Sequence, residues 1–204
     1  MRMLAGVLAL ASSALFVNHG SRSAPAAQEG VGGERSSVPG PAATRTLEEH
    51  KAELAALSGG VWIASNADYR EADGGMDEYG LAWSVQPGGV SASGCLWGLK
   101  GGEVTQVFWQ FFQGWDPTRE VAIVYQSHPA GLIGIGTLED RGEGEPELVQ
   151  DFWTPGSGMA RNGHFERWDG TDRRISQSVE WSDDRWVPRR SYTWVRDRNR
   201  SSPC

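Results

Sequence analysis

The strongest constraint on this fold is a regular series of turns after Gly60. The chain has 204 residues, 27 of them glycine, and beyond position 60 it divides into about ten short strand-like runs. Segments rich in Gly, Pro and Asp separate most of these runs, at 87–89, 100–102, 116–118, 129–131, 142–144, 155–158, 169–171 and 183–184. Connections of this length join antiparallel neighbours. The pattern predicts an all-β, up-and-down meander of about ten strands, which closes into a barrel because closure removes the exposed sheet edges.

One short helix is predicted before the first strand. Thr46 followed by Glu49 has the spacing of a capping box. Positions 47, 50, 51, 54 and 57 recur at helical spacing and form one stripe. Ser58-Gly59-Gly60 then ends the helix, because glycine accepts the left-handed geometry that follows a helix C-terminus.

Residues 1–27 have the organisation of a secretory signal peptide. Arg2 precedes an apolar run from Met3 to Val17, and the small residues of Ala24-Pro25-Ala26 offer a cleavage site. The run is shorter than the ~20 apolar residues of a membrane-spanning helix. Residues 28–44 are rich in Gly, Ser, Pro and Ala and are predicted to be a flexible linker, which leaves 45–204 as a barrel domain with a short C-terminal tail. We therefore expect a secreted or periplasmic protein without stable membrane insertion after cleavage.

The charge balance excludes one large class of partners. The chain has a formal net charge of −7, and loss of Arg2 and Arg22 with the signal peptide leaves 17 basic against 26 acidic side chains, a net charge of −9. An acidic surface repels phosphate backbones, so we expect no nucleic-acid partner.

The two cysteines, Cys95 and Cys204, allow two interpretations. A secreted chain permits a disulfide, and a cysteine at the C-terminal residue can reach a strand without distorting it. The alternative is a buried Cys95 and an unpaired thiol at Cys204. Two cysteines this far apart, without a nearby histidine, do not form a zinc site, and we expect no metal site.

The ten tryptophans are a heavy aromatic load, and one of them has a distinctive setting. Gly60-Val61-Trp62 enters the first strand just after the helix, and the last strand ends in Tyr192-Thr193-Trp194-Val195-Arg196. The first and last strands pair in a closed barrel, so Arg196 can lie across the Trp62 ring and bond the last helical turn. This arrangement resembles the lipocalin-like (calycin) superfamily, in which such a G-x-W and a basic residue on the last strand plug one end of the barrel.

The chain also resembles a bacterial family of uncharacterised secreted lipocalin-like domains. The matching features are the opening from Leu57 to Trp62, the mid-chain Trp115-Asp116-Pro117 turn and the closing strand from Tyr192 to Arg196. The resemblance implies a barrel with Gly60, Trp62 and Arg196 as its structural plug. It does not imply a particular ligand.

The candidate cavity residues come from strand alternation. Asn162, His164 and Glu166 share one face of a strand, and the alternating residues share the other. The cavity candidates are Trp109, Gln110, Gln150, His164, Glu166 and Tyr192. If the polar set points inward the cavity is amphipathic; if the other set does, it is apolar.

Three functions follow from these patterns. The first is binding of a small hydrophobic or amphipathic ligand inside the barrel. The second is an enzyme in which His164 and Glu166 act as an acid–base pair, although no catalytic sequence motif is present and no catalytic residue is assigned. The third is a filled barrel that serves a structural role or binds a partner. No cofactor is expected; His164 as an axial haem ligand is the one alternative.

The connection at 67–77 is longer and more polar than the others. Loops of this length in compact domains include lids and binding loops as well as plain surface loops. The sequence leaves both interpretations open.

Overall fold

A computed structural model describes residues 45–204 as one helix followed by a closed barrel of ten strands. The helix α1 spans Leu47–Leu57. The strands are β1 Val61–Ser65, β2 Glu78–Val85, β3 Ser91–Lys100, β4 Glu103–Asp116, β5 Val121–Ser127, β6 Ile133–Leu138, β7 Leu148–Thr154, β8 Gly158–Trp168, β9 Arg173–Ser182 and β10 Arg185–Asp197. Each strand pairs antiparallel with its neighbours in sequence, and β10 pairs with β1. The all-β, up-and-down barrel predicted from the turn pattern is confirmed. The predicted signal peptide and linker lie outside the described residues.

The helix is fixed at both ends by local hydrogen bonds. The backbone N–H of Glu49 donates to Thr46 Oγ1 (3.2 Å), and the Thr46 N–H donates to the Glu49 carboxylate (2.7 Å). His50, Leu54 and Leu57 form its buried side. The helix ends at Ser58, and Gly59 then takes φ +80°, a left-handed conformation that other residues adopt only with strain.

Barrel closure brings Arg196 onto Trp62. The two residues are directly paired between β1 and β10, and the guanidinium carbon of Arg196 lies 4.4 Å from the Trp62 ring centroid. Trp62 is fully buried and donates its indole N–H to the carbonyl of Leu57 (2.8 Å). Arg196 donates to the carbonyls of Ala56 and Ser58 at the end of the helix. A Cβ at Gly60 would lie 3.1 Å from Arg196 Cγ, so this glycine leaves room for the arginine.

A β-bulge in β4 explains why the alternation of residues 104–112 is irregular. Leu96 pairs with Trp109, whereas the next residue, Trp97, pairs with Val107, so Phe108 is an extra residue in β4. Phe108 and Trp109 therefore both pack against the interior cluster although they are adjacent in sequence.

A second apolar cluster lies on the outer face of β1–β3, where the C-terminal tail is attached. Cys204 is bonded to Cys95, and Arg200 forms an ion pair with Glu78 (3.7 Å). The strand register puts these two attachments on either side of Trp97, which is fully buried. The tail is thus tied to the barrel wall.

The long loop after β1 packs across one end of the barrel. It begins with a single 3₁₀ turn, Ala67–Tyr69. The Tyr69 hydroxyl accepts a hydrogen bond from the Ser191 N–H (3.1 Å), and buried Asp73 forms an ion pair with Arg190. Asp73 also accepts from the Tyr79 hydroxyl (2.7 Å). The loop is therefore a packed part of the rim and not a plain surface loop.

No helix within residues 45–204 is long and apolar enough to cross a membrane.

The disulfide predicts a large stability contribution. It closes a loop with a sequence separation of 109 residues, for which the chain-entropy model gives roughly 4–5 kcal/mol. We expect Cys204→Ser to lower the free energy of unfolding in urea by about that amount. The double variant Cys95→Ser/Cys204→Ser is the control and should unfold at a similar urea concentration. Unchanged stability in both would contradict a disulfide.

Arg196→Met should be strongly destabilising because it removes the cation over Trp62 and the donors to the helix carbonyls. We expect a loss of about 2–4 kcal/mol in the free energy of unfolding. Arg198→Met is the matched control: Arg198 shares the partner Asp172, but its side chain is 57% exposed, and exposed pairs contribute about 0–1 kcal/mol. Equal losses in the two variants would refute a special role for Arg196.

Candidate functional site

The barrel encloses a cavity of about 520 Å³. This volume is within the roughly 300–1,000 Å³ typical of small-molecule sites. The helix contributes Glu53 and Leu57 to the lining, and the long loop contributes Tyr69. The strands contribute the rest, because alternate side chains of each strand point inward.

The lining has two chemically distinct walls. We call the inward residues of β2–β7 the apolar wall; most are aliphatic or aromatic, among them Leu81, Leu96, Trp109, Phe111, Val124 and Phe152. We call the polar lining residues of β8 and β9 the polar wall; they are Asn162, His164, Glu166, Arg174, Ser176 and Ser178. Tyr192 and Trp194 of β10 line the cavity beside it. Of the two interiors considered from the sequence, the structure has the amphipathic one.

Glycines make room for the side chains of the apolar wall. A Cβ at Gly134 would lie 2.3 Å from the Phe152 ring, and one at Gly136 would lie 1.9 Å from the carbonyl oxygen of Val149. Phe152 in turn packs edge-on against Trp109, with centroids 5.7 Å apart. The absence of a side chain at Gly134 in β6 therefore gives Phe152 of β7 the space to reach Trp109 of β4 inside the barrel.

The sequence-derived cavity candidates divide into three groups. Trp109, His164, Glu166 and Tyr192 line the cavity. Gln150 is buried and accepts a hydrogen bond from Gln126, which lines the cavity (3.1 Å).

Gln110 does not belong to the interior, and its assignment to the cavity is wrong. It directly follows the inward Trp109 in β4, so the alternation of the strand turns it outward, where it is exposed.

His164 and Glu166 face the same cavity but are not hydrogen-bonded to each other. Glu166 forms an ion pair with Arg174 (3.3 Å). Burial, followed by the positive charge of Arg174, lowers the pKa of His164 from 6.5 to about 4. Burial raises the pKa of Glu166 above its ordinary value, an effect that Glu147 adds to and Arg174 opposes. His164 is therefore neutral at pH 7.

Arg174 is the charged residue of the polar wall that the sequence did not single out. It is 94% buried, since its relative exposure is 6%, and its guanidinium carbon lies 5.3 Å from the Trp62 ring centroid and 5.8 Å from that of Trp194. Both faces of β9 carry polar residues around position 174, so the alternation could not reveal which face was inward. Only the pairing of β9 with β8 and β10 places it beside Glu166 and next to the Trp62 ring.

The rim of the cavity carries a second polar network. Arg190 lies over the Tyr69 ring (4.8 Å) and pairs with Asp73. The Tyr192 hydroxyl donates to Asn66 Oδ1 (3.0 Å), and burial raises the pKa of Tyr192 to about 12. These bonds join the long loop to β10 and hold Tyr69 against the cavity.

The outer surface of the barrel has an apolar strip. Ile133, Trp153 and Met159 are adjacent across β6, β7 and β8, and each is more than one-third exposed. Phe112 and Tyr125 are likewise exposed and paired across β4 and β5. The structure thus has both an interior cavity and an exposed aromatic surface.

Within residues 45–204, no group of His, Cys, Asp and Glu side chains is arranged to hold a metal ion. No protein-family model matches this chain, and no curated protein matches it. The functional proposal therefore rests on the barrel and its cavity.

The lowered pKa of His164 predicts an acid-sensitive stability. Between pH 6.5 and pH 4 the unfolded chain binds a proton at this histidine that the folded protein does not, so the free energy of unfolding falls as the pH falls. His164→Gln removes this contribution of the histidine to the pH dependence of stability. Relative to pH 7.5, the variant should lose about 3 kcal/mol less than the wild type on acidification to pH 4, measured by urea unfolding at each pH. Parallel pH profiles for the two proteins would show that folding does not lower the pKa of His164.

Proposed function

We propose that this protein is a secreted, lipocalin-like binding protein that holds a small amphipathic molecule inside its barrel. The observation that carries the proposal is the two-walled cavity of about 520 Å³. A molecule with an apolar body and a polar end matches both walls at once. Burial of the apolar body against the aromatic side chains supplies affinity, and hydrogen bonds to the polar wall supply orientation.

The plug at the helix end supports this proposal. Trp62, Arg196 and the helix carbonyls close one end of the barrel with bonds that involve no cavity ligand. The barrel does not need a ligand at that end to complete its core. Closure by a helix and a tryptophan–arginine pair is also the feature in which the chain resembles lipocalin-like proteins.

The proposed location is the periplasm or the extracellular space. The signal-peptide pattern of residues 1–27 supports export. The Cys95–Cys204 disulfide supports an oxidising compartment. A small molecule is the proposed partner, and the proposal requires no nucleic acid, cofactor or metal.

Ligand binding can be tested with a neutral apolar dye, N-phenyl-1-naphthylamine, whose fluorescence rises in apolar surroundings. Val124 lines the cavity, so Val124→Phe fills part of the cavity volume beside the apolar wall. The variant should bind the dye about tenfold or more weakly. Ile123→Phe is the matched control, since the neighbouring residue of β5 points outward. Thermal unfolding checks that both variants are folded.

If the wild type does not bind the dye, or if the two variants bind it equally well, the proposal that the cavity is the binding site is refuted. If binding is located there, native mass spectrometry of protein purified gently from its source identifies the natural cargo. A bound mass that disappears on denaturation gives the class of the ligand.

A further inference from the structure

Charge pairing within the cavity restricts the chemistry of its ligand. Five charged side chains line it: Glu53, Glu166, Arg174, Arg189 and Arg190. Each has an oppositely charged partner among the described residues. Glu166 pairs with Arg174, and the other partners are Arg45 for Glu53, Glu180 for Arg189 and Asp73 for Arg190. A charged group on a ligand would therefore be buried without a counter-charge, or it would have to break one of these ion pairs to obtain one. Both outcomes cost free energy.

The polar wall nevertheless has hydrogen-bonding capacity that the protein does not use. Asn162 is 93% buried, since its relative exposure is 7%, and its Oδ1 has no hydrogen-bond partner within residues 45–204. The same is true of Arg174 Nε. His164, which is neutral at pH 7, offers one ring nitrogen as a donor and one as an acceptor. Ser176 Oγ accepts from the Trp194 indole (2.8 Å), which leaves its own hydroxyl proton to donate.

The opposite side of the cavity adds two further donors without a partner. Trp83 Nε1 and Gln113 Nε2 belong to lining residues, are buried and have no partner in the described part of the chain. The unused groups thus include acceptors at Asn162 and His164. They also include donors, at His164, Arg174, Ser176, Trp83 and Gln113. A hydroxyl group suits such a mixture because one oxygen both donates and accepts.

We propose that the cavity selects an uncharged amphiphile whose head bears several hydroxyl groups, with its apolar part against the aromatic wall. This inference rests on the proposed function and specifies its ligand class. The geometry points away from a carboxylate head, which Glu166 would repel beside Arg174, and from an ammonium head, which Arg174 would repel beside Glu166. Every charge in the lining is paired, and several donors and acceptors are unused. Together these two features favour an uncharged head over an anionic or a cationic one.

The test compares three eight-carbon amphiphiles below their micellar concentrations: octyl glucoside, octanoate and octylammonium. Each competes with bound N-phenyl-1-naphthylamine at pH 7. Octyl glucoside should displace the dye at a concentration about tenfold or more below that of either charged compound. The inference is overturned if a charged compound displaces the dye as well as octyl glucoside does, or if none of the three displaces it.

Two variants test the assigned groups. Glu166→Gln leaves Arg174 without its carboxylate, so octanoate should gain about tenfold in competition relative to octyl glucoside. Asp151→Asn is the matched control: it makes the same acid-to-amide change in the exposed pair with Arg161, and should not affect competition. Asn162→Leu removes unused hydrogen-bonding atoms without touching an ion pair. Measured against the dye affinity of the same variant, octyl glucoside should compete about five- to tenfold less well than it does in the wild type, whereas octanoate should lose less.

The two levels of the proposal fail differently. If the dye binds and Val124→Phe abolishes its binding, the cavity is a ligand site whatever the order of the three amphiphiles. If a charged amphiphile competes better than octyl glucoside, only the inference of an uncharged, hydroxylated head is refuted, and the cavity remains a ligand site. If Glu166→Gln leaves octanoate competition unchanged, pairing with Glu166 is not what excludes anions.

Discussion

Everything in this barrel depends on the contact between its first and last strands. Trp62 and Arg196 are paired across β1 and β10, and both are bonded to carbonyls at the end of the helix. The interaction thus joins three parts of the chain that are far apart in sequence. It closes the sheet, caps the helix and seals one end of the interior at the same place. A barrel closed in this way has no free edge strands to protect.

The plug also shapes the site. Arg174 lies near the Trp62 ring within a cation–π distance, and its guanidinium pairs with Glu166 inside the cavity. Residues that close the barrel therefore contact residues that would hold a ligand. At the other end, the Asp73–Arg190 pair joins the long loop to β10. The cavity therefore lies between two polar structures, and each of them contains an internal ion pair.

The two-walled interior arises from a simple division along the sheet. Strands β2–β7 direct mainly aliphatic and aromatic side chains inward, whereas β8 and β9 direct amides, hydroxyls and charges inward. Because the sheet is closed, these two groups face each other across the interior. Burying a charged side chain costs less where it is paired, as Glu166 is with Arg174, than where it is left without a counter-charge. We propose that the polar groups left without a partner give the cavity its selectivity.

The sequence by itself determined the architecture. Turn segments at short, regular intervals force antiparallel neighbours, and the capping box and Gly59 fix the helix ends, because all of these are local effects. Alternation also placed His164 and Glu166 on one face of one strand.

Tertiary structure decided which face was inward and what lay opposite it. The bulge at Phe108 interrupts the alternation of β4, and Gln110 turns outward because Trp109 turns inward. Arg174 meets Glu166 only through strand pairing, and Asp73 meets Arg190 across 117 positions of sequence. Such contacts depend on register and closure, which are properties of the whole sheet. The sequence therefore predicts the barrel, but the chemistry of its interior is set when the sheet closes.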